Sequence, residues 1–157
     1  MRPFEEIVAE HGTAVMRVCR ALLGAFDAQD AWSETFLSAM RAYPKLRPDS
    51  NVRGWLVTIA QRKAIDQLRA TARAPQPTAE PPELPAEDAA PAALDAQLSA
   101  AVDALPPKQR RAVVYRYLAD LPYAEVAALL ECSEPAARRS AADGIAKLRR
   151  SVRRTTP

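Results

Sequence analysis

The stretch from Ala74 to Ala93 limits this chain more than any other part of it. It reads A-P-Q-P-T-A-E-P-P-E-L-P-A-E-D-A-A-P-A-A. Proline removes amide donors and clashes with the preceding turn, so no regular helix survives there. The acidic, apolar-poor composition has nothing to pack into a core. The stretch is expected to be a flexible, semi-extended linker that reaches at most roughly 65 Å at ~3.3 Å per residue. That is nearly two turns of duplex DNA at ~34 Å per turn. The fold is then expected twice over, from residues 1–73 and from residues 94–157, each the size of a small domain.

Both halves are expected to be all-α. Glycine is scarce, at 4 of 157 residues, while alanine, leucine and arginine abound. No alternating run of β-branched residues argues for a strand. Apolar residues at Phe4, Ile7, Val8, Val15, Val18, Cys19 and Leu22 repeat with helical rhythm, with Gly12 loosening that helix and Gly24 stopping it. Asp27 is expected to cap a second helix, which presents Trp32, Phe36, Leu37 and Met40 on one side. Asp49, Ser50 or Asn51 then caps a third helix from Val52 to about Thr71. Beyond the linker, Leu94 to Leu105 reads as helix. Pro106-Pro107 starts another helix through Val113, Val114, Tyr117 and Leu118, and Pro122 opens a short one to Leu130.

The last of these is followed by Glu131-Cys132-Ser133, a connection long enough only for a tight turn. Ser133 is a good cap for the final helix, and Pro135 is tolerated in its first turn. Two helices this close, the second basic, fit helix-turn-helix geometry. At 100° per residue, Ala137, Ala141, Gly144, Ile145 and Leu148 share one face of the last helix. Pro135, Arg138, Arg139, Ala142, Arg149 and Arg150 share the other, which suits major-groove and phosphate contacts. Glu131 stands where glycine is preferred at such a turn, and Asp143 dilutes the positive field.

In the first half, Thr58, Arg62, Asp66, Arg69 and Arg73 form one stripe of the third helix, either a solvated face with an Arg62–Asp66 pair or a surface laid on DNA. Trp55, Leu56 and Ile59 lie on a different arc, expected to be core. Asp30, Ser33, Glu34, Ser38 and Arg41 form the polar side of the second helix. Trp32 and Phe36 read as core anchors rather than base-stacking platforms.

Several function classes find no support. A single histidine, His11, with no paired carboxylates and no glycine-rich phosphate loop leaves no catalytic set. Cys19 and Cys132 are too few and too far apart for a disulfide framework or a zinc site. No catalytic residue, metal ligand or cofactor is expected. No apolar stretch is long enough to span a bilayer, and the N-terminus lacks a signal-peptide core, so a cytoplasmic protein without membrane insertion is expected. The net charge of +3 permits nucleic-acid binding without demanding it, although the linker's Glu80, Glu83, Glu87 and Asp88 leave the helical halves more basic than the total.

Taken in order, these blocks resemble a bacterial RNA polymerase sigma factor of the extracytoplasmic-function (group 4) type of the sigma-70 family. Phe4-Glu-Glu-Ile-Val-Ala-Glu-His-Gly12 resembles the opening of region 2. Asp30-Ala-Trp-Ser-Glu-Thr-Phe-Leu37 resembles its polymerase-docking helix. Asn51-Val-Arg-Gly-Trp-Leu-Val-Thr-Ile-Ala60, with Ala64-Ile-Asp-Gln-Leu-Arg69, resembles the segment that melts and reads the −10 element. Leu105 to Val114 and Leu121 to Ala127 resemble region 4. Arg62, Pro135 to Ala137, Ser140 and Asp143 depart from the family's usual residues.

The resemblance implies a protein that binds core RNA polymerase and a two-part promoter and directs transcription initiation. It implies polymerase contacts at Asp30, Ser33, Glu34, Ser38 and Arg41. It implies −10 contacts at Asp49, Ser50, Asn51, Thr58, Arg62, Asp66 and Arg69. For the −35 element it implies Ser133, Glu134, Arg138, Arg139, Ala142, Arg149 and Arg150. Core polymerase and promoter DNA are the expected partners, with an anti-sigma factor as a further candidate. The competing readings are a helix-turn-helix regulator that binds an operator without joining polymerase, which leaves the first seventy or so residues unused, and a helical polymerase-binding adaptor.

Overall fold

The computed structural model describes residues 2–73 and 93–155, with side chains for 2–72 and 97–152. The expected linker, residues 74–93, lies outside the described residues except at its last position. The fold is all-α, with no strand among the described residues.

In the first half, α1 (Phe4–Leu23) and α2 (Ala25–Ala42) form a hairpin about Gly24, and α3 (Val52–Arg73) packs across both. Gly24 has φ +85°, a conformation that costs a side-chain-bearing residue, and its N–H donates to the Arg20 carbonyl to end α1. This corrects the expected cap. Glycine at position 24 starts α2 directly, so Asp27 falls inside the first turn, where its charge suits the helix dipole. Gly12 does not loosen α1, which runs unbroken through it. The Gly12 carbonyl also accepts a 2.9 Å hydrogen bond from Trp32 Nε1.

Ile7, Val15, Cys19, Ala28, Ala31, Phe36, Leu56 and Ala60 make the core of this half, with Trp55 and Ile59 packed at its margin. Phe4, Phe36, Trp32, Tyr43 and Trp55 form a run of ring contacts with centroid separations of 4.6–6.5 Å. Burial pushes the Cys19 thiol up to about 11, so it behaves as a small core residue. Leu37 and Met40 are exposed, unlike Trp32 and Phe36, because Ala28, Ala31, Thr35 and Ala39 set the buried stripe of α2.

In the second half, α4 (Ala93–Asp103) and α5 (Pro107–Val113) lead into a wider π turn, Val114–Leu118. That turn changes which side of the expected helix is buried. It adds a residue to the cycle and shifts the buried phase, so Tyr115 and Ala119 are fully buried while Tyr117 and Leu118 are exposed. The helices α6 (Tyr123–Leu130) and α7 (Glu134–Thr155) follow.

Residues from both sides of the linker share one apolar cluster. Val18 of α1 and Val57 of α3 are buried with Val114, Tyr115, Leu121 and Val126. The two halves, expected to sit apart on a flexible tether, are in contact in this structure.

His11 is buried between α1 and α3, where its Nδ1 accepts from Arg53 Nε at 3.4 Å. Burial holds its pKa below the ordinary histidine value, and Arg53 pushes the same way against the opposing pull of Glu10. The folded state therefore favours neutral His11. Its contribution is complete above the unfolded pKa of about 6.5 and is lost as pH falls through the lower folded value. Urea titrations at pH 7.5 and 5.5 should show a larger loss of stability on acidification for the wild type than for His11→Gln. Equal losses would remove His11 as the cause.

Candidate nucleic-acid interface

The tight turn between α6 and α7 forms as the sequence suggests. Glu131 adopts the left-handed conformation (φ 56°, ψ 47°), and the Cys132 N–H reaches back 3.0 Å to the Ala127 carbonyl. Ser133 Oγ then accepts from the Ala136 N–H at 3.2 Å and caps α7. Relief of the side-chain penalty at Glu131 should make Glu131→Gly more stable by about 0.5–1 kcal/mol. A rise in the urea midpoint at unchanged slope would register it; no rise, or a fall, would show that Glu131 is unstrained.

On α7, Ala137, Ala141, Gly144 and Leu148 are buried. Gly144 lets α7 lie directly on α5, since a Cβ there would stand 2.6 Å from Val113 Cγ2. On the other side Ser133, Glu134, Arg138, Arg139, Ala142, Arg149 and Arg150 are all exposed. This is the division of faces read from the sequence.

Sequence reasoning missed Tyr123, whose half-buried ring lies beneath two guanidinium groups, Arg138 at 4.6 Å and Arg116 at 4.8 Å from its centre. Arg138 Nη2 also donates to Glu134 at 2.8 Å. The ring and the carboxylate hold Arg138 in one direction along the exposed face. The signal that could have found Tyr123 is its place at the start of α6, beside the capped end of α7.

The second group of candidates gathers at α3. Asn51 resolves the choice among three caps, because its Oδ1 accepts from the Gly54 N–H at 3.2 Å. Asp49 is exposed, and Ser50 closes a turn through its N–H to the Arg47 carbonyl. Thr58 donates to the Gly54 carbonyl at 2.8 Å, and Arg62, Asp66 and Arg69 continue the same stripe. Arg62 and Asp66, expected as a possible pair, make no ion pair with each other; their stripe lines a cleft instead.

That cleft, about 540 Å³, lies between α3 and α6, with Glu125, Ala128, Leu129 and Glu131 on its far wall. At its inner end Gln61 Nε2 donates to the Leu129 carbonyl at 3.2 Å, while Gln61 Oε1 accepts from Arg111 Nη2 at 2.7 Å and from the Tyr115 hydroxyl. Burial raises the Tyr115 pKa and keeps that hydroxyl a donor. Gln61, Arg111 and Tyr115 were also missed, since nothing local in the sequence brings α3 against α5 and α6.

The third group lies apart. Asp30, Ser33, Glu34 and Arg41 are exposed on α2, with Ser38 half-buried, and exposed Leu37 and Met40 run among them. The result is a mixed polar and apolar strip of the kind that docks on protein. Among the described residues no cluster of potential metal ligands occurs, and no helix is long and apolar enough to cross a membrane.

Comparison with known proteins agrees with this layout. Residues 7–74 match the family model of Sigma-70 region 2, and residues 95–148 match that of Sigma-70, region 4. The chain is 34% identical over 140 residues to the ECF RNA polymerase sigma factor SigE of Mycolicibacterium smegmatis, which covers 83% of this chain but only 54% of that protein, about half its length. It is 32% identical over 151 residues to the RNA polymerase sigma factor CarQ of Myxococcus xanthus, covering 93% of this chain and 87% of CarQ.

Its fold is shared with CnrH, solved in complex with the cytosolic domain of CnrY, at a TM-score of 0.71 and 24% identity over 98% of this chain and 89% of that one. It is also shared with the sigma factor RpoE of Bartonella quintana, solved with the anti-sigma factor NepR, at a TM-score of 0.77 and 18% identity over 98% of both chains. With both regions matched in order along one chain, this protein belongs to the sigma-70 family, as an RNA polymerase sigma factor of the ECF type.

Proposed function

We propose that this chain joins core RNA polymerase, recognises promoters through separate −10 and −35 contacts, and directs initiation there. The observation that carries the reading is the exposed arginine face of α7, set opposite a stripe of small buried residues and directly after a tight turn. On this reading Arg138 and Arg139, with Arg149 and Arg150, meet the −35 duplex. Asn51, Thr58, Arg62 and Arg69 meet the −10 strand, with Asp49, Ser50 and Asp66 at the margin. Residues 1–73 and 94–157 act as the two gripping units and 74–93 as the tether, which raises the effective concentration of the second unit once the first is bound. The role is non-enzymatic and belongs in the cytoplasm with polymerase. An anti-sigma factor is a further candidate partner, on the family resemblance.

The direct test is transcription from a genomic fragment library by core polymerase with and without this protein. Start sites that appear only with it, sharing two spaced elements, support the reading. Tight duplex binding by the chain alone, without new start sites, would favour an operator-binding regulator instead.

The polymerase contact has its own test. Reversing charge at Asp30 and Glu34 together should weaken binding to core polymerase several-fold with helicity intact, because both side chains are exposed and nothing in the fold depends on them. Unchanged affinity in a titration with core enzyme would leave this strip a solvated face.

A further inference from the structure

Beyond its first turn, the exposed face of α7 carries one carboxylate, Asp143. Arg139 stands one turn before it and Lys147 one turn after, both four residues away, the spacing at which opposite charges meet on a helix. At that same spacing Glu134 and Arg138 close to 2.8 Å. Asp143 closes on neither neighbour and makes no ion pair among the described residues. Its side chain is one methylene shorter than that of Glu134, so the carboxylate stays near the helix with its lone pairs open to solvent. Ala142 and Ala146 lie beside it and are exposed too. With nothing larger than a methyl group there, α7 can approach a flat surface closely enough for a short side chain to touch it.

We infer that Asp143 is a specificity-determining residue of the −35 contact, with its carboxylate accepting a hydrogen bond from the N4 amino group of a cytosine in the major groove. The inference rests on the −35 reading proposed above.

The chemistry of the groove selects the base. An ionised carboxylate accepts hydrogen bonds and donates none. Against a phosphate it is repelled. Against guanine or thymine it meets further acceptors, N7 and O6 of the one and O4 of the other. Only cytosine and adenine present a donor on the major-groove edge, the N4 and N6 amino groups. Adenine sets its N7 acceptor beside that donor, facing the second carboxylate oxygen, whereas cytosine sets a C5–H there and opposes nothing. Arg139 and Arg150 lie within about 40° of Asp143 around the helix, so the carboxylate approaches DNA inside a positive field and at less cost than it would alone. Discrimination then comes as much from rejecting guanine and thymine as from attracting cytosine.

The test uses the holoenzyme and the −35 site of a promoter found by the library transcription. Each −35 position is replaced in turn by all four bases, and affinity is measured for the wild type, Asp143→Ala and Asp143→Asn. The readout is the ratio between sequences, because removing a negative charge tightens binding to every duplex. The wild type should prefer cytosine at one position over guanine and thymine by about threefold to tenfold, the lower part of the range for a base-edge contact. Asp143→Ala should bring that preference to about twofold or less and leave the other positions as they were, since one contact of this size is all that is removed. Asp143→Asn, which keeps the shape and gains a donor, should shift the preference at the same position from cytosine to adenine.

Both substitutions lie on an exposed face of α7, and circular dichroism checks that the helix is kept. Tighter binding by Asp143→Ala with every base preference retained would overturn the inference, since the carboxylate would then face phosphate. Wild-type affinity and preferences in both variants would overturn it as well, leaving Asp143 a solvated residue. Failure of the underlying reading shows elsewhere: a holoenzyme carrying Arg138→Ala and Arg139→Ala that binds the −35 site with wild-type affinity would refute the −35 assignment itself.

Discussion

Replacing Arg138 with alanine is expected to cost about 1–3 kcal/mol of holoenzyme binding to a matched −35 site and to relax preference at one base pair. The guanidinium is exposed, held over Tyr123 and bridged to Glu134, so it is aimed before DNA arrives. The exposed bridge to Glu134 is worth little and is easily exchanged for a base edge. Truncation opens no cavity, because the buried face of α7 is made by Ala137, Ala141, Gly144 and Leu148. Arg139 has no ring beneath it and is expected to hold phosphate. Its loss should weaken binding almost uniformly across sequences and lower the salt slope by about one unit. Binding at several salt concentrations, on matched and mutated −35 sites, separates the two roles. Wild-type affinity and salt slope in both alanine variants would show that this face does not touch DNA.

Gly144→Val is expected to destabilise the protein by about 2–3 kcal/mol, toward the upper end of what overpacking costs. The new Cβ would start 2.6 Å from Val113 Cγ2 and 3.3 Å from the Gln109 carbonyl oxygen. Val113 is buried and stiff about its first torsion, and a backbone carbonyl cannot step aside. α7 must then lift from α5 and carry its arginine face with it. Urea unfolding should show the loss, with −35 affinity falling in parallel. A variant as stable as wild type would mean that α7 does not need this close approach.

What the sequence made legible was whatever one helix decides by itself. The two faces of α7 follow from a 3.6-residue period, and the Ser133 cap from a hydroxyl placed at a helix start. The polar strip of α2 is likewise readable from spacing. Contacts between helices distant in the chain were not readable. Glu125 reaches Asn51 across 74 positions, and Gln61 meets Arg111 across 50, with no local pattern announcing either. The buried phase of Val114–Leu118 was not readable either, because a π turn breaks the 3.6-residue period there. Asp27 was misjudged as a cap because a left-handed glycine ends one helix and begins the next without a side-chain acceptor.

The run of aromatic rings in the first half has an optical consequence. The chain holds two tryptophans, Trp32 and Trp55, and both stand in that run. Trp32 is fixed to a backbone carbonyl inside the α1–α2 hairpin, whereas Trp55 also borders the cleft facing α6. Native tryptophan emission therefore arises wholly from the N-terminal helices, and the second half contributes only tyrosine. An acrylamide quenching experiment on the unlabelled protein would see one indole that stays shielded and one whose access to solvent follows the gap between α3 and α6.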